Sequence, residues 1–262
     1  MVPTQPLEAY MDLIPEGLTH FLFWMLVATS FLGSFISTAA GIGGGVTMLA
    51  VMAQVMPPLA LIPVHGLVQL GSNVSRMTVM FRHIDWRFMG WFFIGGLIGA
   101  AVGVKVVTAL PTMVLQLVLG LFILYSIWGP MPERSRATKG GLIAGGGVTT
   151  LASMFVGASG PLAMVIVKAY DYDRFTKVGT FSGVMVIQHG LKGIVFGIAG
   201  FAFTPYLPLV AFMVLAGFLG TLVGKRVLIS QNEDRFGTIL NIVLTLLALR
   251  LLWQAGQDYL GR

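Results

Sequence analysis

Apolar runs of about 20 residues recur along nearly the whole of this 262-residue chain, and runs of that length are what a bilayer span requires. Charged residues make up 10% of the chain and mean hydropathy is +0.87. A soluble domain carries about 25% charged residues, so the runs read as a polytopic membrane protein and not as the core of a soluble helical bundle. The 34 glycines suit close helix packing in lipid and breaks within helices. With no cysteine, disulfides, thiolate metal sites and cysteine nucleophiles are excluded. The net charge of +6 fits basic loops on one side of a membrane better than a nucleic-acid partner. Residues 1–16 lack a basic leader, so no cleavable signal peptide is expected.

Two of the runs are interrupted by glycine. The first break is Gly41-Ile42-Gly43-Gly44-Gly45; the second, Gly157-Ala158-Ser159-Gly160-Pro161, begins 116 residues later (157 − 41 = 116). The same offset sets Asn73 against His189 and Arg76 against Lys192, the most polar positions of two otherwise apolar segments. Duplicated broken helices of this kind predict an all-α membrane protein of two inverted repeats. Each repeat is a glycine-broken hairpin followed by three transmembrane helices.

Taken in order, a polar tail (1–17) leads into a first membrane repeat (18–128). A basic linker (129–140), a second membrane repeat (141–253) and a short tail (254–262) follow. The pieces flanking each glycine break look short for a full span and are expected to be re-entrant. The loops at 82–87, 129–140, 171–177 and 225–235 are basic, whereas the turns at 108–111 and 199–205 are uncharged. Placing the basic set in the cytoplasm puts both tails outside and gives each repeat an odd number of crossings, so the repeats run in opposite directions.

All ten acidic residues fall outside the spans, while His65, Arg76, Lys105, His189 and Lys192 fall inside or near them. A cation at the membrane centre costs about 2.5–3.5 kcal/mol. With no carboxylate to offset it, the counter-charge is a substrate anion, backbone carbonyls or water. The same deficit argues against a carrier of metal cations. His65, Gln69, Ser72, Asn73 and Arg76 recur at helical spacing and share one face. Ser182, His189 and Lys192, with Gln188 beside them, form a similar face in the matching segment. Helices beginning after Gly45 and at Pro161 would present unpaired N–H groups and a partial positive charge to an anion. The candidate binding residues are therefore Gly41, Gly43, Gly44, Gly45, Asn73, Arg76, Gly157, Ser159, Gly160, Pro161, Gln188, His189 and Lys192. His65 and His189 are the candidates for proton coupling, since no buried carboxylate is available. No metal site, cofactor or catalytic residue is expected.

Plainer roles stand beside these. Arg76 lies six residues from Arg82 and could snorkel to the headgroups, as Lys192 could at the other end. Lys105 reads as an interfacial anchor, and the histidines could simply hydrogen-bond within the protein. The glycine-rich break lacks the preceding strand and following lysine of a nucleotide loop. Gly145-Gly146-Gly147 and the Gly95/Gly99/Gly103 series read as helix-packing surfaces.

The Ala40-Gly41-Ile42-Gly43-Gly44-Gly45 element, the duplicated hairpin and the basic linker together resemble the TauE/SafE family of sulfite exporters over roughly residues 20–253. That resemblance implies a multi-pass protein of the cytoplasmic (inner) membrane. It would move a small sulfur-containing anion (sulfite, thiosulfate or a sulfonate), often outward. The second break departs from the glycine motif at Ser159 and Pro161. The residues themselves reach only to a small anion, carried by alternating access or passed through a channel. The lipid bilayer is the other partner; the oligomeric state is left open.

Overall fold

The protein is seen here as a computed structural model that describes residues 13–40, 43–106, 112–129, 138–157, 159–228 and 234–259. Among these residues the regular structure is helical. Ten α-helices follow one another: α1 (His20–Ala39), α2 (Gly44–Met52), α3 (Pro58–Val79), α4 (Trp86–Val106), α5 (Thr112–Trp128), α6 (Lys139–Val156), α7 (Gly160–Lys168), α8 (Arg174–Ile198), α9 (Leu207–Leu228) and α10 (Asp234–Tyr259). Gly41, the 108–111 turn, the side chain of Lys105 and most of the linker (130–137) lie outside the described residues.

The two glycine breaks divide helices where the sequence places them. Gly43 has φ 107° and Gly157 φ 73°, conformations in which a β-carbon is disfavoured. Gly43 precedes α2, and Gly157 closes α6. One expectation is corrected. α1 has 20 residues with a hydropathy of 1.7, long and apolar enough to cross a membrane, so it is not short for a span. Its hydroxyl residues do not interrupt it because they bond back one turn: Thr29 Oγ1 donates to Met25 O and Thr38 Oγ1 to Ser34 O, each at 2.8 Å. Together with α1, the helices at 86–103, 174–198 and 204–227 meet the same test, so the chain is a multi-pass membrane protein. The second pieces, α2 and α7, have nine residues each, too few to cross.

Helices α3 and α8 pack against each other at the centre. Around them, α1 packs along α9 and α6 along α4, so each long hairpin arm lies against a helix from the opposite half of the chain. Small residues make these contacts possible. A β-carbon on Gly95 or Gly99 would overlap the Ile143 or Gly147 carbonyl, and one on Gly220 the Phe31 carbonyl. Without a hydrophobic force between helices in lipid, such close backbone packing is what holds them together. Gly95 and Gly99 thus act as the packing surface their spacing suggests, with Gly146 and Gly147 on the partner helix.

The described residues of the basic loops gather at one end of the bundle. The Asp85 N–H donates to Thr180 Oγ1 at 2.9 Å, His83 stacks on Phe175 with centroids 5.3 Å apart, and Lys225 Nζ donates to Val79 O at 3.3 Å. Ile14, Leu18, Met56, Phe201 and Tyr206 belong to a single apolar cluster that extends away from that end.

Candidate functional site

Helix α3 carries the polar stripe read from the sequence, and all of it is buried: His65, Gln69, Ser72, Asn73 and Arg76. The stripe is wired along its length. Arg76 Nη1 donates to Asn73 Oδ1 at 2.9 Å, and Asn73 Nδ2 donates to the Gln69 carbonyl at 2.8 Å. Arg76 Nε donates to Thr38 Oγ1 at 2.9 Å, in the last turn of α1. The arginine is 2% exposed. It faces inward and does not snorkel; its third nitrogen, Nη2, makes no hydrogen bond to the described residues. No carboxylate among the described residues touches it.

At the other end of the stripe His65 Nε2 meets the Gly45 carbonyl at 3.0 Å. A carbonyl accepts only, so Nε2 donates here; Nδ1 is buried and has no hydrogen-bond partner among the described residues. The His189 ring from α8 meets the His65 ring edge-to-face, with centroids 6.0 Å apart. Its Nδ1 is likewise buried and unpartnered.

These groups enclose a cavity of ≈ 30 Å³, lined by Gly43, Gly45 and Val46 of the first break, and Gly160 and Pro161 of the second. That is room for roughly two water molecules. His65, Gln69, Asn73 and Arg76 form one wall; Phe181, Met185 and His189 form another; Ser37 completes it. The N-termini of α2 and α7 therefore open onto the same space. Neither has a side-chain cap. Their first N–H groups have no partner within their own helices. Helix N-termini of this kind bind anions through N–H groups and the partial positive charge of the helix. Among the described residues the lining holds one fixed cation, amide and imidazole donors, and no acidic side chain.

Five predicted binding residues stand apart from this lining: Gly44, Gly157, Ser159, Gln188 and Lys192. Ser159 Oγ donates to Gln188 Oε1 at 2.5 Å, and Gln188 Nε2 donates to Thr149 Oγ1 at 2.7 Å, so both side chains brace the second break. Lys192, fully buried, donates to the carbonyl of Gly157 at the C-terminus of α6. A cation there is favoured by the negative end of the helix. Of the three counter-charges open to Lys192, the structure supplies a backbone carbonyl, and the side chain does not snorkel. Gly44 is not in the lining either; it lies against α1, where a β-carbon would overlap Gly33 O and Ser37 Oγ. Gly41 lies outside the described residues.

Sequence reasoning left out Thr38, Ser37, Val46, Phe181 and Met185 as site residues. The serines and threonines at 30, 34, 37 and 38 recur at helical spacing and mark the inner face of α1, a signal that was there to be used. Phe181 and Met185 carry no such mark. Among the described residues no group of three metal-ligating side chains comes together.

A 32% identity over 138 residues links the chain to the probable sulfite/organosulfonate exporter TauE of Cupriavidus necator. The match covers 49% of this chain and 54% of that protein, so the chain spans about half the length of the relative it matches. No solved structure matches it. The family model described as sulfite exporter TauE/SafE matches residues 26–251, nearly the whole chain and both glycine breaks. This integral membrane protein, whose two helix N-termini and buried arginine surround a cavity with no carboxylate among the described residues, belongs by that match to the TauE/SafE sulfite exporter family.

Proposed function

We propose that this protein is a secondary transporter of a small sulfur-containing anion, sulfite or an organosulfonate, which it moves outward across the cytoplasmic (inner) membrane. The observation that carries this reading is the convergence of α2, α7 and Arg76 on one cavity without a carboxylate. The name of the Cupriavidus necator relative supplies the sulfur chemistry, and thiosulfate belongs to the same class of ligand.

The sulfur anion sits with its oxygens toward the N–H groups of the two breaks, and the arginine supplies full charge. Gln69 and Asn73 hold the guanidinium in register and complete the donor set. The cavity, at ≈ 30 Å³, is narrow in this conformation, and the anion enters when one hairpin shifts against the other. The exchange of packing between α1–α9 and α4–α6 supports two inverted repeats, which alternate access on this scheme. The described basic residues at one end, Arg82, Arg87, Lys139 and Lys225 among them, support placing that end in the cytoplasm. His65 and His189, edge to face beside the anion, are the groups through which a proton would be coupled.

Thermal stabilisation of the purified protein by sulfite, thiosulfate, small sulfonates, sulfate and oxalate, at matched ionic strength, tests this. Binding to the folded state alone raises stability by mass action. A shift selective for one sulfur anion is expected, and Arg76→Ala abolishes it while the ligand-free protein keeps its fold. Equal small shifts for every anion, or an unaltered shift in Arg76→Ala, defeat the assignment. Saturable counterflow in vesicles then marks a carrier, and conductance far above carrier turnover a channel.

A further inference from the structure

A second cavity, of ≈ 280 Å³, lies at the end of the bundle where the basic loops gather. Its walls are Asp85, Arg87, Phe88, Trp91, Lys139 and Tyr170, from three stretches far apart in sequence. Much of it is aromatic. Phe88 meets Tyr170 edge-to-face at 5.2 Å, and Tyr170 stacks on Tyr172 at 5.3 Å.

The charges divide unevenly. Asp85 is committed on both oxygens to neutral donors: Oδ1 accepts the Phe88 N–H at 2.9 Å, and Oδ2 accepts the Tyr172 hydroxyl at 2.5 Å. Burial, and then that bond to Asp85, raise the Tyr172 phenol well above its ordinary pKa, so the donor stays protonated. The carboxylate therefore serves as the cap of α4 and a tie to the loop before α8. The two cations have no such commitment. Arg87 makes no hydrogen bond to the described residues, and Lys139 Nζ stands 5.3 Å over the Trp91 ring. The helices α4 and α6 both begin here, with first-turn residues of each in the lining. Two cations without a carboxylate bonded to them among the described residues, beside an aromatic wall, make a site for an anion that carries a small organic body. Trp91 and its neighbours are the side chains that settle at the depth of lipid headgroups.

We propose that this cavity binds a phosphate ester, with the phosphate between Arg87 and Lys139 and its glycerol-sized body against Trp91 and Tyr170. The ester comes either from an anionic phospholipid of the surrounding leaflet or from the aqueous phase. This site is separate from the central cavity and does not depend on the transport reading.

The test uses the full-length protein in detergent. Binding is read by native mass spectrometry and thermal stabilisation, with phosphatidylglycerol, phosphatidylcholine, glycerol 3-phosphate and methanesulfonate as probes. Phosphatidylglycerol is expected to bind at least tenfold more tightly than phosphatidylcholine. Arg87→Gln with Lys139→Gln removes that preference, and Arg76→Ala leaves it intact. Both substituted side chains are exposed, and Arg87→Lys with Lys139→Arg restores binding if charge is what matters. A response to phosphatidylglycerol alone assigns the bilayer as the source; a response to glycerol 3-phosphate assigns the aqueous phase. No preference for either ester, an unchanged preference in the double glutamine variant, or methanesulfonate bound more tightly than both esters overturns the proposal.

Discussion

The two walls of the central cavity occupy matching places in the sequence and differ in chemistry. His65 and Phe181 are 116 residues apart, as are Gln69 and Met185, and Asn73 and His189; all six line the same space. The fourth pair is Arg76 and Lys192, of which only the arginine reaches it. One wall thus presents hydrogen-bond donors and a charge, and the other presents an aromatic ring, a thioether and one imidazole. The second half of the chain uses its polar groups on itself: Ser159 on Gln188, Gln188 on Thr149, Lys192 on Gly157. An apolar wall dries the site, and drying strengthens the electrostatic interactions made by the other wall.

The sharpest way to break the comparison is through the glycines that begin the two short helices, Gly44 and Gly160. A β-carbon on Gly44 would overlap the backbone oxygen of Gly33, whereas on Gly160 it would sit 3.5 Å from the Phe181 ring, an ordinary contact. Gly44→Ala is expected to cost about 3 kcal/mol or prevent folding, and Gly160→Ala to be close to neutral in thermal unfolding. Equal effects would mean that the two hairpins pack alike in the membrane. Next in size is Lys192→Met, which leaves the Gly157 carbonyl unsatisfied at a cost of about 2 kcal/mol. Its melting temperature should fall while anion-dependent stabilisation stays within a few fold of the parent. Loss of binding without loss of stability would make Lys192 a ligand and the two walls equal after all.

The smallest effect lies at the starts of α3 and α8, again 116 residues apart. Pro57 offers α3 no side-chain cap, whereas Asp173 caps α8, accepting the N–H groups of Phe175 and Thr176. The Thr176 hydroxyl first, and then its N–H, hold the Asp173 carboxyl below its ordinary pKa. The charged form is thus favoured by folding. Its contribution is complete above the ordinary carboxylate range and is lost as pH falls through the depressed value. Asp173→Asn should therefore remove a small acid-sensitive part of stability, about 0.5 kcal/mol for an exposed cap. An unchanged stability–pH curve between pH 2 and 6 would take the cap out of the comparison.

Much of this was legible beforehand. Glycine breaks in apolar runs locate helix ends because Gly43 and Gly157 there take backbone angles that other residues resist. The α3 stripe announces a buried polar face because a membrane penalises idle polar groups. The role of Lys192 was hidden for a physical reason: a buried cation looks the same in sequence whether an anion or a helix terminus answers it. Arg76 and Lys192 match in position and diverge in use, and only the neighbours Thr38, Asn73 and Gly157 tell them apart. Phe181 and Met185 were invisible because apolar residues in a span carry no label for which side they face. The pairing of α1 with α9 and α6 with α4 was equally silent, since glycines advertise a close contact without naming the partner.

That pairing has a consequence for how the protein is made. During synthesis α1 and α4 enter the membrane before their partners exist, with Gly95 and Gly99 facing lipid where the Ile143 and Gly147 carbonyls will later sit. Neither half of the chain can satisfy its own grooves. A fragment ending in the linker is expected to stay loosely assembled until the remainder is supplied, even as a separate polypeptide, or until it borrows the missing surfaces from a second copy of itself.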